Sequence, residues 1–234
     1  MTDPTRQVPS APADGPAESL AVSLSEIDAL SRKAARGAGH EWGLAEEAGR
    51  AARWLAAHHC NGPAMLLALL RAIDGKLPGY YPAREGAAWT SPSGRLCPVC
   101  TGAALADRSA EIGDGATFRL RSVIQPAILL PFAAMASRRL GRPLHLEIGG
   151  TGIGVSADGM SGDIDAVSGP LAQAPVTLRV ATGIAGAMVS AAPSAVVVSM
   201  DCWRGLDRFA QRTYVPASAQ SRASGAGSGL TDNE

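Results

Sequence analysis

The stretch 117–157, TFRLRSVIQPAILLPFAAMASRRLGRPLHLEIGGTGIGVSA, contains the succession of elements that decides the fold class. Its first residues alternate apolar and arginine side chains, which predicts a strand over Thr117–Ile124. A helix follows over Pro126–Leu140, with arginines in its last turn. Two strands over Leu144–Ile148 and Ile153–Ala157 then form a hairpin around a glycine-rich loop. Because strands and helices follow one another without a regular β-α-β alternation, we predict an α+β fold.

Three helices are predicted in the first third of the chain. Ser23 and Glu26 have the spacing of a capping box and begin the first helix, which ends at Gly37. The second helix is predicted over Leu44–His59, and the third begins with Pro63 at its first position. We therefore expect an N-terminal helical unit packed on a mixed or antiparallel sheet, with one further long helix.

The composition along the chain divides it into four predicted segments. Residues 1–20 are rich in proline, alanine and small polar residues, which is typical of a disordered leader. A helical subdomain over residues 21–75 and an α+β core over residues 76–211 follow. Residues 212–234 form a Gly/Ser-rich C-terminal segment, either a flexible tail or a segment that closes over a site.

The charge balance excludes some classes of partner. Among 234 residues, 21 basic and 21 acidic side chains cancel, which disfavours nucleic acid and an acidic membrane surface as partners. The sequence has neither a secretory signal nor a run of the roughly 18 apolar residues that a membrane-spanning helix needs. We therefore expect a cytoplasmic protein whose four cysteines are reduced.

The segment Cys97-Pro98-Val99-Cys100 is the most suggestive motif. Zinc takes four ligands, of which this motif supplies two, and thiolate and imidazole both suit it. Cys60 with His59 or the neighbouring His58 can complete such a set. Because a single Cys-x-x-Cys motif has low specificity, we predict no metal site and expect Cys97 and Cys100 to be structural thiols, with the zinc site as the alternative.

A dense polar cluster lies between the first two predicted helices, where a glutamate beside a histidine and a tryptophan can act as an acid or a base. Ordinary acidic residues at a helix start are the alternative. The candidate catalytic residues are Glu46, Glu47 and Cys97. The candidate substrate contacts are His40, Trp42, Arg212 and Tyr214, with Arg212 as an anion partner.

No motif in the sequence indicates a cofactor, since neither a phosphate-binding loop nor a dinucleotide fingerprint followed by a helix occurs. We predict a protein that binds or transforms a small anionic metabolite. One alternative is a non-catalytic accessory or oligomerising subunit of a metabolic enzyme, with a protein partner or further copies of itself. The other is a small zinc protein built on Cys97 and Cys100. The residues do not decide whether the protein is an enzyme.

Several segments resemble an uncharacterised bacterial family of about this length. They include the first helix with its glycines and the stretch Trp42–Gly49, the region around Leu96–Pro98, and the end of the chain. The segments are 24–27, 37–39, 42–49, 96–98, 102–107, 212–218, 225–227 and 230–233. The resemblance implies one folded unit but no particular activity, and it favours an ordered C-terminal segment.

The first two predicted helices are also similar to those of the malate/L-lactate dehydrogenase family that lacks a Rossmann fold. The shared features are a glycine between the helices and an alanine-rich second helix. In that family a Ser-His-Gly turn follows, whereas this chain has His59-Cys60-Asn61-Gly62. The substrate-side histidine motif is therefore absent, and the resemblance implies no dehydrogenase activity here.

Overall fold

The computed structural model describes residues 18–85, 88–168, 173–184, 186–191 and 195–214. Within these ranges the chain forms eight α-helices and ten strands. The helices are α1 Leu24–Gly37, α2 Trp42–Ala57, α3 Gly62–Ile73, α4 Pro98–Asp107, α5 Ser109–Gly113, α6 Leu130–Leu140, α7 Ile164–Ser168 and α8 Met200–Ala210. The strands are β1 Ser19–Ser23, β2 Ala83–Glu85, β3 Ala88–Thr90, β4 Phe118–Ile124, β5 Leu144–Ile148, β6 Thr151–Ser156, β7 Gly159–Gly162, β8 Gln173–Val180, β9 Val189–Ser190 and β10 Ala195–Ser199.

Eight of these strands form a mixed sheet in the order β2-β3-β4-β8-β5-β6-β7-β9. The pair β3–β4 is parallel, and the other described neighbours are antiparallel. A second, two-stranded sheet joins β1 to β10, with Ser19 opposite Ser199. The α+β class predicted from the sequence is confirmed. Strand β1 includes residues 19 and 20, at the end of the predicted leader, while residues 1–17 lie outside the described ranges.

The first two helices form where the local signals predict them. The Ser23 hydroxyl accepts a hydrogen bond from the Glu26 backbone N–H, and the Glu26 carboxylate accepts one from the Ser23 N–H, so the capping box is confirmed. Gly49 of α2 faces the backbone of Asp28 in α1, whose carbonyl oxygen lies 2.8 Å from where a Cβ would stand. The glycine therefore permits a close α1–α2 approach, and this approach positions the turn that carries His40.

Helix α4 is an element that the sequence analysis did not predict. Pro98 occupies its first turn, and most of its residues are buried. Gly102 packs directly against the ring of Phe132 in α6. The predicted helix over residues 126–140 is a 3₁₀ turn, Pro126–Leu129, followed by α6. Helix α8, Met200–Ala210, was also not predicted, although Ser199 caps it.

Apolar side chains from the helices and the sheet form one buried core. Leu70 of α3, Leu130 of α6 and Ile153 of β6 are all fully buried within it. The predicted division at residues 75 and 76 stays a prediction. Of the helices in the described ranges, none combines the length and the apolar character needed to cross a membrane.

Candidate metal centre

Three metal-ligating side chains, His40, Cys97 and Cys100, converge in the interior. Their potential ligand atoms all lie within 4.8 Å of one another. The Sγ atom of Cys97 is 3.7 Å from Nε2 of His40. His40 and Cys97 are completely buried, and Cys100 is 5% exposed. Thiolate and imidazole are the donors that zinc and related transition metals prefer.

The start of α4 places the two cysteines. Leu96 pairs with β4, donating its N–H to Ser122 and accepting from Ile124, so the chain enters α4 from the sheet. Cys97 is the N-cap of α4 and donates its own N–H to the carbonyl of Tyr80. Cys100 stands three positions later, and residues spaced by three lie on the same face of a helix. Both thiols therefore face the same space.

The turn after α1 places His40. Gly39 has a φ of +106°, which favours glycine, and it reverses the chain so that the His40 N–H bonds to the carbonyl of Ala35. Nδ1 of His40 lies 3.2 Å from the same carbonyl oxygen, and Arg36 donates to the carbonyl of His40. Since a carbonyl only accepts, Nδ1 carries the hydrogen and the lone pair of Nε2 faces Cys97. Metal-binding histidines commonly show this orientation.

The two thiols share one proton. Burial opposes ionisation of Cys97, but the hydrogen bond that Cys100 donates, followed by the interactions with His40, outweighs burial and lowers the pKa of Cys97 to about 5. The pKa of Cys100 is raised, first because its thiol hydrogen is donated to Cys97 and second because it is buried. The opposite shifts of the two pKa values favour a thiolate at Cys97 and a thiol at Cys100. Thiolate is the form of cysteine that binds metals and attacks electrophiles.

The separations in the cluster suit a tetrahedral metal. Zn–S and Zn–N bonds of about 2.3 and 2.05 Å place two ligand atoms about 3.6 Å apart at the tetrahedral angle. The observed distance between Cys97 and His40, 3.7 Å, agrees with that value. Among the residues that the structure describes, no fourth His, Cys, Asp or Glu joins the group. A metal held here by these three donors keeps one coordination position for water or another ligand.

The surroundings of the cluster reach the surface beside Tyr81 and Glu41. Burial raises the pKa of Tyr81, and electrostatic interactions with the two cysteines and Glu41 raise it further, which places these groups close together. A cavity of about 350 Å³ begins at Glu41 and extends past Ala103, one helical turn after Cys100. Its charged lining residues are Glu41, Glu47, Asp107 and Arg139. The surface next to the cluster is therefore predominantly acidic.

Cys60 and His59, the further ligands of the alternative zinc site, are not part of the cluster. Cys60 is buried next to Ser168, whose hydroxyl lies 3.1 Å from its sulfur. His59 is exposed and lines a separate cavity of about 180 Å³ together with Cys60. The third donor beside Cys97 and Cys100 is instead His40, which the sequence analysis placed among the substrate contacts.

The predicted acidic candidates lie along α2. Glu46 and Glu47 both accept hydrogen bonds from Arg50, each at 2.8 Å, and Glu47 also lines the 350 Å³ cavity. Trp42 is 62% exposed and lies under the guanidinium group of Arg36. Of the predicted catalytic and substrate-contacting residues on this part of the chain, His40 belongs to the cluster and these three do not.

The C-terminal candidates pack against α1 and α3. Arg212 donates two hydrogen bonds to Asp74, at 2.7 and 3.0 Å, so its charge is paired. The Tyr214 hydroxyl accepts a hydrogen bond from Lys33. A single pocket that joins Arg212 and Tyr214 to Cys97 stays a prediction. The rest of the predicted C-terminal segment, residues 215–234, lies outside the described ranges.

Residues 22–91 match a family described as "Protein of unknown function (DUF3726)". This range contains His40 and ends before the cysteines. The resemblance to an uncharacterised family is confirmed over these residues. No curated protein matches the chain.

One solved structure with a weak similarity to part of this chain is the crystal structure of malate dehydrogenase from Entamoeba histolytica. The similarity has a TM-score of 0.42 and 11% sequence identity, and it covers 56% of this chain and 39% of that chain. This chain therefore spans well under half the length of that protein. A similarity at this level fixes neither fold, activity nor substrate.

Proposed function

We propose that the protein binds a transition metal ion, zinc foremost, through His40, Cys97 and Cys100. The observation that carries this proposal is the convergence of three buried donors, with Nε2 of His40 held toward Cys97 by the bond from Nδ1 to the Ala35 carbonyl. A zinc ion with three protein ligands and one free position is typical of catalytic zinc rather than structural zinc. Bound there, the metal would supply Lewis-acid chemistry or activate a water molecule.

The burial of Cys97 favours a metal ligand over a plain thiol. A buried thiolate is costly unless a positive charge or several hydrogen-bond donors compensate it. Cys100 supplies one hydrogen-bond donor, and a divalent cation would supply the rest of the compensation.

The test is the metal content of the full-length chain purified without a histidine tag. We expect about one equivalent of zinc per chain, and less than about a tenth of an equivalent in each of the variants His40→Ala, Cys97→Ser and Cys100→Ser. Matched controls are Cys60→Ser and Cys202→Ser, which remove buried thiols outside the cluster. Both controls should retain the metal content of the wild type.

A chelator experiment separates loss of metal from loss of fold. Removing the metal should lower the melting temperature of the wild type, and re-adding zinc should restore it, because a ligand that binds only the folded state stabilises it. The Cys97→Ser variant should show neither change. A wild type that is purified without metal and whose melting temperature does not respond to zinc, cobalt or nickel would overturn the proposal.

The helix position of the cysteines favours a second candidate function, a dithiol that cycles with a disulfide. Cys97 stands at the N-terminus of α4 with a pKa of about 5, as reactive cysteines of Cys-x-x-Cys motifs do. Its complete burial disfavours exchange with a protein partner and leaves small disulfides as the oxidant. Incubating the metal-free chain with oxidised glutathione and counting free thiols tests this function. Loss of two protein thiols in the wild type supports it when Cys100→Ser loses only one, held as a mixed disulfide of Cys97 with glutathione. No loss of thiols in the wild type excludes it.

The other functions predicted from the sequence stay predictions. They are an accessory or oligomerising subunit, and a protein that binds a small anionic metabolite. The acidic cavity beside the cluster does not favour an anion at that position. A different part of the surface has the charge that an anion requires.

A further inference from the structure

A second cavity, of about 760 Å³, lies on the other end of α2 from the cysteine cluster. Its walls come from the second half of α2, the last turn of α6 and the turn between β6 and β7. The charged lining residues are Arg50, Arg53, Arg138 and Asp158. With three arginines and one aspartate, the lining has an excess of positive charge. The volume falls within the range of about 300–1,000 Å³ typical of small-molecule sites.

Two of the arginines retain donors for a ligand. Within the described part of the chain, the Arg53 side chain makes neither an ion pair nor a hydrogen bond, and it is exposed where it lines the cavity. Arg138 donates one hydrogen bond to the carbonyl of Ala157. This bond orients the guanidinium group and leaves its other N–H groups available to a ligand. Arg50 is instead partly neutralised by two glutamates. A guanidinium group matches the planar or forked geometry of carboxylate and phosphate oxygens.

One wall of the cavity is aromatic. The rings of Trp54 and His58 stack with their centroids 3.8 Å apart and their planes 24° from parallel. Nδ1 of His58 donates to the Trp54 carbonyl at 2.7 Å, which fixes the tautomer and leaves Nε2 as an acceptor. Leu24 and Ala57 add apolar surface next to the rings. Aromatic side chains of this kind offer a planar ligand both dispersion contact and shape complementarity.

From this geometry we infer that the cavity at Arg53, Arg138 and the Trp54–His58 pair binds a small organic anion that combines a planar ring with a phosphate or carboxylate group. The guanidinium groups take the anionic end, and the stacked rings take the planar part. Because the cavity shares no lining residue with the cysteine cluster, this site does not depend on the metal proposal.

The experiment measures ligand binding to the full chain by calorimetry and by quenching of tryptophan fluorescence. The probes are adenosine monophosphate, indole-3-carboxylate, uncharged adenosine and inorganic phosphate. We expect one of the two ring-bearing anions to bind at least about 10-fold more tightly than both adenosine and inorganic phosphate, because the proposed site needs the charge and the ring together. Which of the two binds identifies the anionic group.

Two variants test whether the ligand binds in this cavity. Arg53→Gln removes an unpaired guanidinium group and should weaken the preferred anion about 10-fold or more with little effect on the melting temperature. Arg208→Gln, at an exposed arginine of α8, is the matched control and should bind as the wild type does. Equal losses in the two variants, equal affinity for adenosine and the anions, or no binding of any probe at millimolar concentration would each overturn the inference.

Discussion

Replacing Gly102 by alanine tests how the cysteine-bearing helix is held. A Cβ at this position would lie 2.4 Å from both Cγ and Cδ2 of Phe132. Ordinary contacts begin near 3.4 Å, so the ring or α4 must shift by about 1 Å. Phe132 is 3% exposed, and Cγ is not the free end of its side chain, so the ring cannot simply swing aside.

Two opposing effects set the magnitude of this change. Alanine in a helix is favoured over glycine by about 1 kcal/mol. Overpacking a filled core costs about 1–3 kcal/mol, and a ring enclosed on all sides places Gly102→Ala at the upper end. We therefore expect a net loss of about 2 kcal/mol in the free energy of unfolding, or a fall of roughly 4–8 °C in melting temperature for a chain of this length.

The assay is urea denaturation of the wild type, Gly102→Ala and the matched control Gly43→Ala. Gly43 lies in the first turn of α2, and a Cβ there meets no heavy atom within 4 Å. The control should therefore gain up to about 1 kcal/mol from helix propensity alone. If Gly102→Ala is as stable as Gly43→Ala, the close packing of α4 on α6 is wrong, and with it the account of how the two thiols are positioned.

Three further outcomes are expected from urea denaturation. Asp74→Asn should lower the free energy of unfolding by less than about 1 kcal/mol at pH 7, because the pair with Arg212 is on the surface. The hydrogen bond from Arg212 lowers the pKa of Asp74. The difference from the wild type should therefore vanish as the pH falls through that lowered value. In the metal-free chain the free energy of unfolding should rise with pH above about 5. The Cys97 pKa of about 5 lies below its ordinary value of 9.0, so unfolding takes up a proton. Cys97→Ala should remove this slope, and an unchanged slope would contradict the thiolate assignment. Leu70→Ala, at a fully buried position of α3, should lower the free energy of unfolding by about 2–5 kcal/mol. A loss below about 1 kcal/mol would contradict the place of Leu70 in the core.

Local signals along the chain predicted much of the secondary structure. The Ser23–Glu26 capping box, the proline in the first turn of α3 and the glycine after α6 all stand where the helices begin or end. These signals succeed because each depends on hydrogen bonds or dihedral angles within a few residues. Strands β4 and β5 likewise follow from the alternation of buried and exposed side chains.

The elements that the sequence analysis missed are those with weak local signals. Helix α4 is apolar on most sides, so it shows little amphipathic period, and it follows a loop rich in serine and proline. Strands β2 and β3 contain only three residues each and exist through pairing with β4 and each other. Such elements are stabilised by tertiary packing, which local propensity does not report.

The sequence by itself determined the α+β class, the capped N-terminal helices and the choice of Cys97 and Cys100 as the residues with the most chemistry. It could not identify the histidine beside them. His40 lies 57 residues before Cys97, and His59 and Cys60 are nearer in the chain. The tertiary structure determines that His40 is the histidine beside the cysteines, because the close α1–α2 approach fixes the turn after α1 against the start of α4. Backbone hydrogen bonds with neighbours set the helix ends, whereas the partners of a buried side chain depend on which distant segments pack together.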